Sequence, residues 1–337
     1  MTDPTENRRI LLAARPHGLV TEDCLRRVTE PVPRAGAGEV VARVLALSVD
    51  PTNRVWMREE DSYLPAVEIG AVVRAAGLAR VVESRRDGVA VGDLVMGMPG
   101  WQDYWSIGPD EMANVIPPGF EITDILSIYG GTGMTAWFGI EDVCALQPGE
   151  TFVVSGAAGA VGSVAGQLAK AKGASPVIGI AGGPAKCAWV VDELGFDVCI
   201  DYKSEDVPAR LAELAPEGID VYFDNVGGEI LDAVLGNLAI GARIAVCGAI
   251  STYNLDEAPG IHNYANLIMQ RARMEGFLIL DYVDSFMEGI MGLAPLVTEG
   301  KVKYAVEVVD GLEHAPETLN RLFTGDHTGK LIVGVGE

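Results

Sequence analysis

The sequence lacks the cysteine pattern of a zinc cluster or of a disulfide framework. Its five cysteines are odd in number, scattered along 337 residues and never arranged as a Cys-x-x-Cys pair. Its four histidines are equally isolated, at positions 17, 262, 314 and 327. This pattern is typical of a reducing cytosol, so we expect a cytoplasmic protein that binds no metal.

Positive charge and long apolar runs are also scarce. The 25 basic residues face 47 acidic ones, for a formal net charge of −22 at pH 7. Such a surface repels phosphate backbones and anionic lipid, so neither nucleic acid nor a membrane is expected as a partner. The longest uncharged stretch, 151–169, is too rich in glycine and polar residues to be a good membrane span. The first residues, MTDPTENRR, lack the apolar core of a signal peptide.

Glycine, by contrast, is abundant, with 41 residues that do not recur at every third position. Up to about residue 125, glycine and proline interrupt short apolar runs in the manner of a β-barrel or sandwich. The pattern predicts one strand at 40–49, two strands around a glycine turn at 72–84, and a buried strand within 89–98.

From about residue 150 the pattern changes to alternating strands and helices. Strands are predicted at 151–156, 176–182, 197–202, 218–227 and 242–248, and helices at 160–173, 185–195, 204–214 and 229–238. Ser204 is the expected N-cap of the third helix. This order implies a doubly wound parallel sheet with helices on both faces. Strand-like segments at 301–310 and 330–335 return to the N-terminal β-domain, so we expect the α/β domain to be inserted within it.

The most informative motif is Ala157-x-Gly159-x-x-Gly162, between a predicted strand and a predicted helix. Gly159 would let the backbone approach a pyrophosphate, and Gly162 would let the helix pack closely on the strand. The free N–H groups and the dipole of the helix N-terminus would then hold the phosphates. The motif therefore predicts a dinucleotide site, although glycines in such a turn can also serve packing alone.

The residues after the second strand indicate which dinucleotide is bound. NAD-dependent enzymes place an acid about 20 residues beyond the glycine motif, where it binds the ribose 2′-hydroxyl. That count reaches Ala181 without meeting an acid, and Lys186 follows soon after. Tyr202 ends the third strand. A cation without a competing carboxylate favours a 2′-phosphate, and hence NADP.

Several segments together resemble the medium-chain dehydrogenase/reductase superfamily. They are similar in particular to its zinc-independent NADP-dependent alkenal double-bond reductases, the group of prostaglandin and curcumin reductases. The resemblance covers nearly the whole chain. It is carried by SVDPTNR (48–54), VGDLVMGMPGWQDY (91–104), GMTAWFG (133–139), SGAAGAVGSVAGQLAK (155–170), GFDVCIDYK (195–203), DVYFDNVGG (220–228), CGAISTYN (247–254), MEGFLILD (274–281) and the Gly-Lys of TGKLIV (328–333).

The resemblance implies a fold and a division of labour. A GroES-like β-barrel domain, residues 1–125 and 300–337, would form the substrate and catalytic part, and an inserted Rossmann domain, 126–299, would bind NADP. Relatives are often homodimers that join their Rossmann sheet edges, so a homodimer is expected here.

The resemblance also implies site residues. The pyrophosphate would lie on Ala160, Val161, Gly162 and Ser163, and the 2′-phosphate on Lys186 and Tyr202. The nicotinamide half would lie along Asn225, Cys247, Gly248, Ala249, Ile250, Ser251, Thr252, Tyr253, Phe277, Leu278 and Ile279. His327 stands where the family usually has an asparagine, two residues before the Gly-Lys pair. The expected substrate cleft contains Thr52, Asn53, Arg54, Tyr129 and Thr132, in segments that depart from the usual family sequence.

The zinc ligands of related alcohol dehydrogenases are missing, because Ser48-Val49-Asp50 stands where a metal-binding Cys would be. Without a metal, oxidation of an alcohol is difficult, which favours reduction of a conjugated C=C bond. We therefore expect NADPH-dependent hydride transfer to the β-carbon of an enal or enone. Tyr253 or water would then protonate the α-carbon. A quinone reductase, a natural-product reductase and a non-catalytic NADP-binding protein remain as alternatives.

Overall fold

The computed structural model describes residues 5–60 and 62–336. The strands are β1 (Glu6–Leu12), β2 (Leu25–Pro31), β3 (Val40–Val49), β4 (Gly77–Ser84), β5 (Leu94–Gly97), β6 (Tyr104–Ile107), β7 (Asn114–Val115), β8 (Phe152–Ser155), β9 (Val177–Ala181), β10 (Val198–Asp201), β11 (Ile219–Asp224), β12 (Leu238–Val246), β13 (Arg273–Gly276), β14 (Val306–Asp310) and β15 (Lys330–Gly334). The α-helices are α1 (Pro51–Val55), α2 (Ile122–Ile125), α3 (Gly131–Phe138), α4 (Ala160–Ala171), α5 (Pro184–Asp192), α6 (Val207–Leu214), α7 (Gly228–Leu235), α8 (Ala265–Met269), α9 (Phe286–Thr298) and α10 (Ala315–Thr324). Of the helices that the structure describes, none combines the length and the hydropathy needed to cross a bilayer.

The chain forms two compact units. The first contains the described residues up to Leu126, the segment Val306–Asp326 and the described residues from Leu331 onward. The second contains Ser127–Ala305 and the short segment His327–Lys330. The chain thus leaves the first unit, builds the second, and returns.

The first unit is built on a mostly antiparallel sheet with the strand order β14-β15-β3-β4-β5-β7, in which β6 also pairs with β3. The predicted strand at 40–49 is confirmed as β3. The predicted pair of strands at 72–84 is wrong, because one strand, β4, forms there and Val72 makes only an isolated bridge to Leu11. Gly77 is not a turn residue. A Cβ on it would lie 2.6 Å from the carbonyl oxygen of Ala46, so glycine lets β4 approach β3.

The second unit is a parallel six-stranded sheet with the order β10-β9-β8-β11-β12-β13. The five predicted strands correspond to β8 to β12, and β13 was not predicted. Alternate residues of β8 enter different cores, Phe152 and Val154 on one side and Val153 on the other. Helices cover both faces. From β8, successive strands are added first on one side (β9, β10) and then on the other (β11, β12, β13), so the topological switch point lies between β8 and β11. In open parallel sheets, ligands bind at this point, at the carboxyl ends of the strands.

The start of α6 differs from the sequence prediction. The helix begins at Val207, and the side chain of Asp206 accepts the N–H of Ala209 at 3.1 Å. Ser204 is not the N-cap, because its hydroxyl donates to a carboxylate oxygen of Asp201 at 2.9 Å. A competing hydrogen bond to a residue three positions earlier therefore takes the Ser204 hydroxyl away from the helix terminus.

A buried carboxylate holds the end of β11 against the end of β8. Oδ1 of Asp224 accepts hydrogen bonds from the Ser155 and Tyr222 hydroxyls and from the N–H groups of Val226 and Gly227, at 2.8–3.1 Å. Asp224 is fully buried, and Oδ2 has no hydrogen-bond partner among the described residues. Burial raises the pKa of this carboxyl above its usual range, although each of the four hydrogen bonds works in the opposite direction.

Replacing Asp224 by alanine leaves four buried donors without their acceptor. We expect Asp224→Ala to lower the free energy of unfolding by about 3 kcal/mol. Asp224→Asn keeps the accepting oxygen and should cost only about 1 kcal/mol. Urea unfolding of the wild type and both variants at one pH measures the difference.

The difference in stability between the wild type and Asp224→Asn should depend on pH. Because its pKa is raised in the folded state, Asp224 contributes most to stability below about pH 4, and the contribution is lost as pH rises through the folded pKa. The stability of Asp224→Asn relative to the wild type should therefore improve as the pH rises. A gap that stays constant with pH, or an asparagine variant as unstable as the alanine variant, contradicts this account.

Candidate functional site

The glycine turn between β8 and α4 is shaped for close backbone contact. Gly156 has a positive φ of 63°, and its carbonyl oxygen accepts the N–H of Gly159 at 2.8 Å. A Cβ on Gly162 would lie 2.3 Å from that same carbonyl oxygen. Only glycine at 162 allows the first turn of α4 to pack on the turn. The N–H groups of Ala160 and Val161, in that first turn, are consequently presented at the carboxyl edge of the sheet.

Ser163, also expected near the pyrophosphate, has a buried side chain. With Thr132 and Lys330 it lines a small internal cavity next to the first turn of α4. Lys330 is itself 2% exposed, which is unusual for lysine.

The segment His327–Lys330 is fastened to the glycine turn. The N–H of Gly329 donates to the carbonyl of Ala158 at 2.8 Å, and Gly329 forms a parallel bridge with Gly159. Gly329 has a φ of 70°, and a Cβ there would lie 2.2 Å from the carbonyl oxygen of Ala305. The glycine of the Gly-Lys pair is therefore required by the backbone, and it brings the half-buried His327 to the same unit as the turn.

Lys186 and Tyr202 both lie at the far half of this edge, after β9 and β10. Lys186 is in the first turn of α5, and Tyr202 directly follows β10. A Cβ on Gly182 would lie 2.8 Å from the Tyr202 ring and 3.0 Å from Cε of Lys203. Lys203 thus lies beside Tyr202 over the same glycine. Lys203 is not among the residues predicted from the sequence, although its position next to Tyr202 is a signal that could have indicated it.

An acid also lies at this end, contributed by the neighbouring strand. Asp201 pairs with Ala181 across the parallel strands, where the count along β9 found no acid. Its carboxylate accepts from the N–H of Gly183 at 2.7 Å, from the N–H of Lys203 and from the Ser204 hydroxyl. The hydrogen bond from Gly183 is the main reason that the pKa of Asp201 is lowered. Asp201 therefore stays ionised and ties the β9–α5 turn to β10.

The other half of the edge is formed after β11 and β12. The side-chain amide of Asn225 donates to the carbonyl of Ser155 at 2.8 Å, which fixes the asparagine between β8 and β11. The N–H of Cys247 donates to the carbonyl of Asp224, and the N–H of Ile250 to that of Asn225. These backbone contacts hold the 247–253 segment over the end of β11. The segment contains Gly248, Ala249, Ser251 and Thr252, so the structure brings the expected residues of this group together.

Tyr253 lies at the end of this segment, and its side-chain oxygen accepts the N–H of Ala249 at 3.0 Å. Tyr253 is neither fully buried nor fully exposed.

Phe277, Leu278 and Ile279 follow β13, the last strand of the sheet. The ring of Phe277 packs edge-on against Phe223, with 6.1 Å between centroids. This contact anchors the segment to the core beneath the sheet edge.

The residues expected to contact substrate differ in burial and in their hydrogen-bond partners. Asn53 is buried, accepts the N–H of Asp50 and donates to the carbonyl of Arg74. Arg54 is buried too and donates to the carbonyls of Pro16 and Gly18. In the second unit, the Thr132 hydroxyl donates to the carbonyl of Ser127. Thr52 and Tyr129 are half-buried. Their contact with a substrate stays a prediction.

The described part of the chain has no set of side chains arranged as metal ligands. No group of three or more His, Cys, Asp or Glu side chains there is arranged to hold a metal ion. Where related enzymes would have a metal-binding cysteine, the Ser48 hydroxyl instead donates to the Asp50 carboxylate.

Comparison with known proteins covers both units. Residues 8–115 match the model of the N-terminal domain of oxidoreductases, and residues 160–293 match that of zinc-binding dehydrogenases. The chain is 40% identical over 335 residues to the NADPH-dependent curcumin reductase of Escherichia coli, covering 98% of this chain and 97% of that one. It is 43% identical to the NADP(+)-dependent 2-alkenal reductase of Nicotiana tabacum, over 89% of this chain and 88% of the relative.

A solved structure agrees with this assignment. The crystal structure of CurA from Vibrio vulnificus in complex with NADPH superposes with a TM-score of 0.92 at 37% identity, covering 98% of this chain and 99% of that one. Sequence and fold therefore agree along nearly the entire chain, and the chain belongs to the zinc-independent group of the medium-chain dehydrogenase/reductase family.

Proposed function

We propose that this protein is an NADPH-dependent reductase of the C=C bond of α,β-unsaturated carbonyl compounds, and that it works without zinc. The observation that carries the proposal is the glycine turn before α4, at the switch point of the parallel sheet. A Cβ on Gly162 would collide with the Gly156 carbonyl, so this turn is built for the close backbone approach that a dinucleotide needs. The relatives named as curcumin reductase and 2-alkenal reductase support the substrate class.

The two units have different parts in this proposal. The second unit, Ser127–Ala305 with His327–Lys330, corresponds to the predicted Rossmann domain and would bind NADP, and the first unit corresponds to the predicted GroES-like domain and would contribute to substrate binding. The phosphates lie on the first turn of α4, at Ala160, Val161, Gly162 and Ser163. When bound, NADPH supplies the hydride for the β-carbon of the substrate.

The 2′-phosphate is held by Lys186 and Tyr202, with Lys203 as a third contributor. Two cations and a hydroxyl suit a dianionic group, and Asp201 does not compete because its oxygens already accept hydrogen bonds from Gly183, Lys203 and Ser204.

The nicotinamide half lies along Asn225, the 247–253 segment, 277–279 and His327. At this end the chain orients the reactants and supplies hydrogen-bond donors for the charge that develops on the substrate carbonyl oxygen. Tyr253 is the proposed proton donor for the α-carbon, and the N–H of Ala249 holds its side-chain oxygen in place at the end of the 247–253 segment. Water is the alternative proton donor.

We also propose a cytoplasmic homodimer. Five free cysteines agree with a reducing compartment. In the described part of the second unit, β13 is an edge strand that pairs only with β12. Ile240, Ile268 and Met269, on β12 and α8, are 68–77% exposed. An open strand edge with exposed apolar side chains suits pairing with a second copy.

The acceptor class can be tested with a panel of enals, enones and quinones, following NADPH oxidation at 340 nm with the purified chain. We expect kcat/KM for the enals and enones to exceed that for the quinones by about tenfold or more. Faster turnover of quinones would favour a quinone reductase, a structural neighbour class of this fold. NADPH binding without oxidation by any acceptor would favour the non-catalytic alternative.

The cofactor choice can be tested at Lys186. We expect Lys186→Ala to raise KM for NADPH about tenfold, the effect of losing one charge-assisted hydrogen bond, and to leave KM for NADH nearly unchanged. Lys301→Ala is the matched control, because Lys301 forms an exposed ion pair with Glu299 in the same unit. A wild type that binds NADH and NADPH equally well would refute the assignment.

The proton donor can be tested at Tyr253. If its hydroxyl protonates the α-carbon, Tyr253→Phe should lower kcat at least about 100-fold and leave the dissociation constant of NADPH within about twofold. Tyr264→Phe is the control, since Tyr264 is 61% exposed. Unchanged turnover in Tyr253→Phe would assign the protonation to water.

A further inference from the structure

Two thiols lie next to each other below the proposed 2′-phosphate site. Cys187 is in the first half of α5, and Cys199 is on the adjacent strand β10. Their Sγ atoms are 3.1 Å apart, and both cysteines are free. A disulfide requires about 2.05 Å between the sulfurs, so a closure of roughly 1 Å would join them. The crossover from β9 through α5 to β10 brings them together from positions twelve residues apart.

We propose that Cys187 and Cys199 form a reversible disulfide on exposure to a peroxide, and that this cross-link weakens binding of the NADPH 2′-phosphate. The second part rests on the proposed function. The first part depends only on the two thiols.

The chemistry is balanced with a peroxide as the two-electron oxidant. The Cys187 thiol loses its proton, and the thiolate attacks one oxygen of hydrogen peroxide. The O–O bond breaks, Cys187 becomes a sulfenic acid, and the departing hydroxide takes up that proton and leaves as the first water. The Cys199 sulfur then attacks the sulfenic sulfur, the S–O bond breaks and a second water leaves. Overall, two thiols and one hydrogen peroxide give one disulfide and two waters.

The surroundings of the pair assign an order to these steps. Burial raises the pKa of both thiols, and the rise is larger for Cys199. The carboxylates of Asp201 and Glu205 add to the rise at Cys187. Cys187 is therefore the attacking thiol and Cys199 the resolving one, and oxidation is slow at neutral pH because little thiolate is present.

The cross-link would act on the elements that carry the proposed phosphate residues. Cys187 directly follows Lys186, and Cys199 lies three residues before Tyr202. The hydrogen bond from Gly183 to Asp201 joins the same two elements. A cross-link that pulls α5 towards β10 by roughly 1 Å changes the position of Lys186, on α5, relative to Tyr202, which follows β10. The nicotinamide residues follow β11, β12 and β13, on the other side of β8, so they are not expected to move.

The experiment uses the full-length protein treated with hydrogen peroxide, then catalase, then iodoacetamide. Peptide mapping by mass spectrometry should find one cross-linked peptide that joins Cys187 to Cys199 and disappears with dithiothreitol. In parallel, the dissociation constant of NADPH, measured by fluorescence titration, should rise about tenfold in the oxidised protein and recover on reduction. The constant for NADH, and kcat at saturating NADPH, should stay within about twofold.

Two variants act as controls. The Cys187→Ser/Cys199→Ser double variant should keep its affinity for NADPH after peroxide treatment, whereas Cys24→Ser should respond like the wild type, since Cys24 lies in the first unit.

Absence of the cross-linked peptide overturns the proposal. A cross-link that leaves NADPH affinity unchanged, or an equal response in the double variant, overturns the regulatory part. If the reduced protein does not bind NADPH at all, the proposed function fails and the regulatory part with it, while the mass spectrum still decides whether the disulfide forms.

Discussion

The contact between the first turn of α4 and the glycine turn below it is the constraint on which the proposed cofactor site depends. A Cβ at Gly162 would come within 2.3 Å of the Gly156 carbonyl, so the helix can start at this depth only without a side chain there. The close approach of the α4 N-terminus to the glycine turn matters because N–H groups at a helix terminus attract an anion only over a short distance. The segment His327–Lys330 is attached to the same turn, because the N–H of Gly329 donates to the carbonyl of Ala158. One steric requirement thus positions both the helix terminus and the segment that carries His327.

The buried Asp224 extends that constraint to the other half of the sheet edge. Desolvation of a carboxyl is costly, and burial raises the pKa of Asp224 although four hydrogen bonds oppose that rise. The same carboxyl organises Ser155, Val226 and Gly227 around one oxygen. The strand ends that carry Asn225 and the 247–253 segment are therefore held in place at the expense of some stability, which is common where the backbone must be positioned for binding.

The sequence predicted most of the second unit, because local signals coincide there with the final structure. Short apolar runs became buried strands, and the glycine motif lies between β8 and α4 as expected. The errors arose where a competing hydrogen-bond partner or a neighbouring strand decided the outcome. Ser204 is a good N-cap by residue type, but Asp201 takes its hydroxyl and Asp206 caps the helix instead. Gly77 looked like a turn, but the carbonyl of Ala46 on β3 requires it in a strand. Asp201 itself escaped notice because its closeness to Ala181 depends on strand pairing and not on spacing along the chain.

The acid at the phosphate end changes the argument for NADP without reversing it. In a chain of net charge −22, the absence of an acid after β9 was the local sign of a 2′-phosphate site. The structure supplies Asp201 from β10 instead, with a lowered pKa that keeps it negative. An ionised carboxylate repels a nearby phosphate unless hydrogen-bond donors compensate its negative charge. Asp201 directs its oxygens to the N–H groups of Gly183 and Lys203 and to Ser204, which turns the acid into a brace for the β9–α5 turn. Lys186 and Lys203 supply two cations at this end, while Glu205, a second acid here, accepts the N–H of Asp201 and pairs with Arg210. The preference for NADP therefore depends on the geometry that binds Asp201 to its own backbone, and a movement of α5 against β10 would disturb this arrangement of charges before it reached any other part of the site.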